Sequence, residues 1–373
     1  MEMLLGLASP APARLCATLQ RALIKDTSVT DAGAFELLVQ CPALHSLEFS
    51  HGSFTAGFLA RLEESAPATF PLRSIFLPAA TARSLQAAVR ALPHLEELSL
   101  WTALPRLPSL TRAELAEVRS LKLGGLQQPA LLTQLATLIG SQLTTLKIET
   151  VHFDINIDTI GLLCPGLEEL SIINARVGIT PPTEKQPFST DDQFLRLRKL
   201  YFFLVQYPPV GVAEAGRAAP SVTDPARSEV AATGRTALHA LLSRATALES
   251  VTVSGTTALT DSCLAAVLER NPLRELRRLV VSLPSSQESL LVIPLTLLSV
   301  LALHRSCPHL QCLGDLRHWA VSPAHRASLA GGATPPAQLA QHLYTRVQIR
   351  SVPRPGQLRT SSVCRQTLAT PVQ

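Results

Sequence analysis

The sequence predicts an α/β solenoid, in which a repeated strand-and-crossover unit builds one parallel sheet with helices on its other side. Three observations lead to this prediction. A short apolar phrase recurs along most of the 373 residues, and apolar stripes at helical spacing alternate with several of its copies. Apolar residues make up 46% of the chain, with leucine the commonest among them, while aromatic residues make up only 4%. A core built largely from one branched side chain favours a repeating packing unit over an irregular core.

The phrase consists of a leucine, two residues, an apolar residue, one residue and a final apolar residue. Seven of the nine steps between successive copies are 23 to 30 residues long, close to the roughly 20–29 residues of leucine-rich repeats. The last two apolar residues of a copy lie two apart, so they share one side of an extended strand, and the residue between them faces the other side. Each copy therefore predicts one strand of a parallel sheet. The copies begin at Leu44, Leu72, Leu95, Val118, Leu143, Leu167, Leu197, Leu248, Leu276 and, in degenerate form, Leu310.

The crossovers between these strands are predicted to be helical. Thr30 and Thr260 each precede an aspartate and an apolar stripe at i, i+3, i+4 spacing, and a threonine oxygen accepts a hydrogen bond from the free N–H groups of a helix start. Prolines end the stripes because proline cannot continue a helix. They lie at Pro42, Pro93, Pro165, Pro272 and Pro308. We therefore expect a leucine-rich-repeat horseshoe, with the parallel sheet on its concave face and the helices on its convex face.

One repeat pattern also indicates a family. Residues Thr30 to Phe49 join a Thr-Asp helix start, an apolar stripe and the phrase Cys-Pro-x-Leu-x-x-Leu. The Cys-Pro turn recurs at Cys164 and Cys307, and Asn271 replaces the cysteine in the ninth repeat. This pattern resembles the cysteine-containing repeats of F-box/LRR proteins, within the ribonuclease-inhibitor-like superfamily, over roughly residues 28 to 318. The resemblance implies that the array holds a substrate while an F-box docks onto an SCF-type ubiquitin ligase, whose subunits would be partners. About 27 residues precede the first repeat, fewer than an F-box occupies.

The chain divides into three predicted parts. Residues 1–27 are expected to form an N-terminal cap helix, residues 28–320 the repeat array, and residues 321–373 a basic, proline-containing C-terminal segment. Within the array, residues 178–192 and 205–235 are expected to be insertion loops. These loops could extend or gate a binding face, although tolerated surface loops are the simpler interpretation.

The net charge of +5 belongs to the C-terminal segment. No acidic residue follows Asp315, and the chain after it contains seven arginines, so the rest sums to about 5 − 7 = −2. The body of the array is therefore not basic, and we expect no nucleic-acid partner. The longest apolar run, residues 290–303, contains a proline and is shorter than the roughly 20 residues of a membrane span. Seven scattered cysteines favour reduced thiols and a cytoplasmic or nuclear location over a secreted disulfide framework.

No motif in the sequence points to catalysis. There is no phosphate-binding glycine loop, nucleophile elbow or paired-histidine zinc helix. His304, Cys307, His309 and Cys312 lie within nine residues, but Cys307 fits the turn position and the repeat phase points Cys312 away from the buried Leu313, so the four should not converge on a metal. One cysteine per Cys-Pro turn is better explained by packing. We therefore expect no enzyme, no metal and no cofactor.

The exposed strand positions are the candidate binding site. Aromatic side chains on an open sheet face are typical anchors for a protein partner, and two lysines on neighbouring strands add a basic spot. The alternative is that insertion loops or terminal segments cover these rings. The leading function is protein recognition by the concave face, with an F-box-independent scaffold or an enzyme inhibitor as the second hypothesis. The candidate residues are Phe76, Trp101, Lys122, Lys147, Tyr201 and Phe203.

Overall fold

The fold is known from a computed structural model of the full chain. The structure describes residues 16–24, 30–49, 58, 61, 64, 70–78, 81–102, 104, 106–179, 193–205, 237–255, 259–282, 293–314, 319–320 and 348–349. The expected insertion loops lie almost entirely outside these residues, as does all but a dipeptide of the C-terminal segment.

One twelve-stranded sheet organises the described chain, and every pairing in it is parallel. Its strands follow one another in chain order, except that β7 and β9 leave the sheet and pair with each other. The strands are β1 (Arg21–Ile24), β2 (Ser46–Phe49), β3 (Ser74–Pro78), β4 (Glu97–Trp101), β5 (Ser120–Gly124), β6 (Thr145–Glu149), β7 (Asp154–Asn156), β8 (Glu169–Ile173), β9 (Arg176–Gly178), β10 (Lys199–Phe203), β11 (Ser250–Ser254), β12 (Arg278–Ser282), β13 (Cys312–Leu313) and β14 (Gln348–Ile349).

All ten copies of the apolar phrase form strands of this sheet, which confirms the predicted parallel architecture. The register aligns equivalent leucines: Leu98 pairs with Leu121, and Leu121 pairs with Leu146. All three are fully buried. The stacked leucines fill the space between sheet and helices, as in a repeat array where each unit packs on its neighbours. The horseshoe curvature stays a prediction.

Seven helices lie in the described crossovers: α1 (Asp31–Gln40), α2 (Ala82–Ala91), α3 (Pro129–Ile139), α4 (Ile157–Leu163), α5 (Ala237–Arg244), α6 (Asp261–Arg270) and α7 (Leu297–Ser306). The predicted helix starts are confirmed, since the hydroxyl of Thr30 accepts from Gly33 N at 3.2 Å and that of Thr260 from Cys263 N at 3.1 Å. Asp261 has a second role that the sequence did not reveal. Its carboxylate accepts hydrogen bonds from Thr296 N at 2.8 Å and from the Ser299 hydroxyl, which ties the start of α6 to the start of α7.

Two segments differ from the sequence-based expectation. Residues 21–24 form strand β1, in register with β2, whereas a cap helix had been expected over residues 1–27; helix is present at residues 16–18. The crossover from β4 to β5 consists of turns rather than a helix. Pro108 interrupts this crossover, and Leu115 and Val118 reach the core from its turns.

A left-handed backbone position follows the strand in five successive repeats. It is occupied by glycine at Gly125 (φ 68°) and Gly255 (φ 81°), but also by Thr150, Asn174 and Leu204, with φ values of 50° to 52°. At each position the backbone N–H donates to the last strand residue of the next repeat, as Thr150 N does to Ile173 O at 2.8 Å. The main-chain ladder therefore outweighs the steric cost of this conformation for residues with a Cβ atom.

The array continues in register across the 51-residue step in the sequence. All five residue pairs between β10 and β11 are formed. On the helix side, the guanidinium of Arg244 in α5 donates to the Asp158 carboxylate of α4 at 2.5 Å and to Gln193 Oε1 at 3.1 Å. Arg244 and Asp158 are 17% and 14% exposed, so their interaction is shielded from solvent more than a surface ion pair.

Asn271 shows why the ninth repeat departs from the Cys-Pro turn. Its side-chain amide donates to Leu242 O at 2.7 Å and to Ala245 O at 3.0 Å, two carbonyls at the C-terminal end of α5. Its Oδ1 accepts from Leu273 N at 3.2 Å. Carbonyls at a helix end have no partner within the helix, so the asparagine satisfies them from the neighbouring repeat.

We predict that Asn271→Ala lowers the free energy of unfolding by about 2–4 kcal/mol, because it leaves buried carbonyls and an N–H group without partners. Urea unfolding followed by circular dichroism measures this change. The control is Gln128→Ala, which removes an exposed amide that makes no capping hydrogen bond. Equal midpoints for the two variants would contradict the assigned role of Asn271.

Candidate protein-binding surface

Three rows of side chains cross the sheet on the side opposite the leucine core, and we call them together the open face. They arise because the strands stand in register, so equivalent residues of successive repeats lie next to one another. The first row contains Ser74, Glu97, Ser120, Thr145, Glu169, Lys199, Ser250 and Arg278. The middle row contains Phe76, Ser99, Lys122, Lys147, Ser171, Tyr201, Thr252 and Val280. The third row contains Trp101, Gly124, Glu149, Ile173, Phe203, Ser254 and Ser282.

The two predicted lysines do lie side by side, as the register of β5 and β6 requires, but they form ion pairs. Lys122 Nζ is 3.5 Å from Glu149 Oε1, and Lys147 Nζ is 3.4 Å from Glu169 Oε1. Glu169 also contacts Lys199 Nζ at 3.7 Å. The expected basic spot is therefore a charge network in which the two glutamates balance most of the positive charge. The register of the strands was needed to bring these partners together.

Trp101 lies against the backbone of the next repeat. The residue paired with it is Gly124, where a Cβ atom would stand 2.3 Å from Trp101 Cε3. At the following Gly125 a Cβ atom would be 2.8 Å from Trp101 Nε1. Glycine at both positions is what allows the indole to lie flat on the neighbouring strand end, so that it is only partly exposed.

Tyr201 and Phe203 form an aromatic pair on β10. Their ring centroids are 6.4 Å apart and the ring planes differ by 6°. Tyr201 is 37% exposed, while Ser171, between Lys147 and Tyr201 in the middle row, is 5% exposed. The pKa of Tyr201 is raised, mainly by burial and secondly by the negative charge of Glu149. The phenol therefore stays protonated and can donate a hydrogen bond at physiological pH.

The six candidate residues thus fall into separate groups. Trp101 and the Tyr201–Phe203 pair lie four strand steps apart, about 19 Å at the usual strand spacing of ~4.8 Å. Between them stand the lysines with their glutamates. Phe76 lies in the middle row beside Ser99, one row away from Trp101. The arrangement is two aromatic ends joined by a charged centre.

Glu149 and Glu169 belong to this site although they were not among the candidate residues. Each occupies an open-face strand position, each is paired with at least one lysine, and their side chains are 20% and 31% exposed. In the sequence, each glutamate occupies an open-face position in a repeat next to one that has a lysine on that face. Only the strand register, which is set by the aligned leucines, shows that the charges come within contact distance.

The Cys-Pro cysteines have the packing role that the sequence indicated. Cys41, Cys164 and Cys307 are buried and follow the last residues of α1, α4 and α7. Burial raises the pKa of Cys164 and of Cys307 to about 12, and it is also the main cause that raises the pKa of Cys41 to about 11. These thiols therefore stay protonated and unreactive at neutral pH.

On the helix side, a groove of about 220 Å³ lies between α3 and α4. Its walls are mostly apolar, with Leu132, Phe153 and Leu163 among them, and Asp154 at its border is paired with Arg176 at 2.8 Å. Across the described ranges there is no group of three side chains suited to hold a metal ion. Nor does any helix in that part of the chain have the length and apolar character to cross a membrane.

No protein-family model matches the chain, and no curated protein matches it. Among solved structures it is similar to a crystal structure of the Rad7 and Elc1 complex in yeast, with 12% sequence identity and a TM-score of 0.31. That match covers 93% of this chain and 86% of the other. The leucine-rich-repeat-like assignment therefore stands on the strands, helices and register described above.

We predict that Gly124→Ala displaces the Trp101 indole and destabilises the fold by about 1–3 kcal/mol, the usual cost of overpacking. Tryptophan fluorescence should shift, since the chain has only two tryptophans. Gly166→Ala is the matched control, because its Cβ would meet no atom closer than 3.5 Å. An unchanged emission spectrum in Gly124→Ala would show that the indole does not depend on this glycine.

A second prediction concerns Tyr201 and Glu149. Because the folded-state pKa of Tyr201 is raised, its contribution to stability is present below the ordinary tyrosine pKa of about 10 and is lost as pH rises through the folded value. Glu149→Gln should lower the Tyr201 pKa part of the way back, since burial remains. An NMR titration of ring-labelled tyrosine measures it, with Glu269→Gln as the control. A Tyr201 pKa that does not move in Glu149→Gln would contradict the proximity of the two side chains.

Proposed function

We propose that this protein recognises another protein through the open face of its repeat array, and that it acts by binding rather than by catalysis. The observation that carries the proposal is the pairing of two aromatic groups, Trp101 and Tyr201–Phe203, on either side of an ion-paired centre. Large partly exposed aromatic side chains are the residues that most often dominate protein interfaces.

The charged centre is suited to selecting a partner rather than to attracting any oppositely charged molecule at long range. Lys122, Lys147 and Lys199 are paired with only two acids, Glu149 and Glu169, so most of their positive charge is balanced there. Ion pairs arranged in this way select partners whose charges match them and repel those that do not. Affinity would then come from the aromatic groups at either end.

The size of the surface fits this use. Trp101 and Tyr201 lie about 19 Å apart across the sheet, which is within the span of a standard protein–protein interface. A ligand as small as a metabolite could not contact both aromatic groups. The cysteine content favours the cytoplasm or the nucleus as the place where such a partner is met.

A narrower proposal is substrate recognition for an SCF-type ubiquitin ligase. It rests on the Cys-Pro turns that resemble F-box/LRR repeats, at Cys41, Cys164 and Cys307. The alternative role, as an F-box-independent scaffold or an enzyme inhibitor, uses the same open face. The two differ in whether ligase subunits accompany the chain.

The test is affinity purification of the tagged chain from its native cells, followed by mass spectrometry. Trp101→Ala combined with Tyr201→Ala is compared with a matched control, Leu162→Ala combined with Leu298→Ala. The control leucines are 57% and 69% exposed and lie in helices α4 and α7, away from the open face. We expect at least one partner to be lost from the aromatic variant and kept by the control.

The outcomes separate the proposals. Retention of every partner by the aromatic variant would rule out the open face as the binding surface. Recovery of a ligase adaptor and a cullin with both variants supports the ubiquitin role and makes the lost partner its substrate. Recovery of a partner without ligase subunits means that the chain is a free-standing recognition module.

A further inference from the structure

The last complete repeat carries a group of arginines that differs from the rest of the array. In the earlier repeats two arginines just before a strand pair with an acid one repeat away, Arg73 with Glu96 at 2.7 Å and Arg198 with Glu249 at 3.6 Å. Arg119, at the equivalent position, donates to Ala116 O at 2.9 Å. In the last repeats five exposed arginines form no ion pair with any residue that the structure describes. They are Arg270, Arg274, Arg277, Arg278 and Arg305, and we call them the arginine edge.

Topology places these five residues on one edge of the molecule. Helices run antiparallel to the strands that they follow, so the end of α6, the end of α7 and the start of β12 lie on the same side. Direct contacts fix this arrangement. Cys307 Sγ, just after α7, lies 3.7 Å from Pro272 O between the first two arginines of the edge. Asn271 holds the same turn to the end of α5.

Helix dipoles explain only part of this group. Arg270 and Arg305 lie in the last turns of α6 and α7, where a positive charge is favoured by the helix C-terminus. Arg274, Arg277 and Arg278 lie in a turn and at the start of a strand, so no helix end accounts for them. Three acids lie nearby: Glu269 and Glu275 are exposed, and Glu249, whose main-chain carbonyl accepts from Arg277 N and Arg278 N, has its carboxylate paired with Arg198 at 3.6 Å. The five arginines therefore outnumber the acids around them.

We propose that the arginine edge binds an acidic segment of a protein partner. Guanidinium groups present a planar fork that matches a carboxylate and can form two hydrogen bonds with it. The interleaved Glu269 and Glu275 favour discrete carboxylates over a continuous phosphodiester backbone, which would pass close to both. The proposal does not depend on the open face, because the two surfaces share only Arg278.

Fluorescence anisotropy with a labelled peptide of alternating glutamate and serine tests the proposal on the full chain. Arg274→Glu combined with Arg277→Glu should raise the Kd at least about tenfold, and the wild-type affinity should fall as salt is added. The matched control is Arg83→Glu combined with Arg106→Glu. These two exposed arginines lie in the early repeats and also lack an ion pair in the described chain. Urea unfolding midpoints check that both variants remain folded.

Each other outcome overturns the proposal. Equal losses in the edge and control variants would show a response to net charge alone. An unchanged Kd in the edge variant would place peptide binding elsewhere, for example on the seven arginines after Asp315, which all variants keep. Absence of binding, or tighter binding of a single-stranded oligonucleotide of equal charge, would exclude an acidic protein segment as the ligand of this edge.

Discussion

In-register parallel pairing of successive strands is the constraint on which the rest of this structure depends. A slip of one residue would turn every buried leucine onto the open face and every open-face residue into the core. Burial of aligned leucines such as Leu98, Leu121 and Leu146 therefore fixes the register. The register in turn places Lys122 beside Glu149. The charge pattern of the open face is thus a consequence of packing on the opposite side of the sheet.

Besides the stacked leucines, polar contacts also hold neighbouring repeats together. Asp261 joins the starts of α6 and α7, and Asn271 joins the ends of α5 and α6. Gln142 has the same role earlier in the array, where its amide donates to Leu115 O at 2.6 Å and Val118 O at 3.1 Å. In a repeat protein, stability is roughly the sum of units and of the contacts between neighbours. These bonds therefore add to the contacts that stabilise each repeat against its neighbour.

The sequence could predict the elements whose signal is local and could not predict those that depend on a neighbour. The apolar phrase located the strands of all ten copies, and Thr30 and Thr260 located two helix starts. Strand β1 carries a degenerate copy of the phrase, Leu19-x-x-Ala22-x-Ile24, with alanine where the later copies have leucine, isoleucine or valine, and its register with β2 was needed to recognise it. The left-handed residues Thr150 and Leu204 carry no sequence signal, because their conformation is imposed by the next strand.

The candidate site divides in the same way. Composition and phase were enough to place Trp101 and Tyr201 on the open face, because exposure follows from the alternation along a strand. The pairing of the strands then determined which side chains surround them. Gly124 leaves room for the Trp101 ring to lie against the neighbouring strand. Glu149 and Glu169 form ion pairs with the lysines of the open face. The molecule therefore has two surfaces that differ in electrostatics. Positive charge is mostly balanced by ion pairs on the open face and is in excess at the arginine edge. On the binding roles that we propose, the first would discriminate between partners by shape and matched charge, whereas the second would attract an acidic segment by net charge, which acts further into solution.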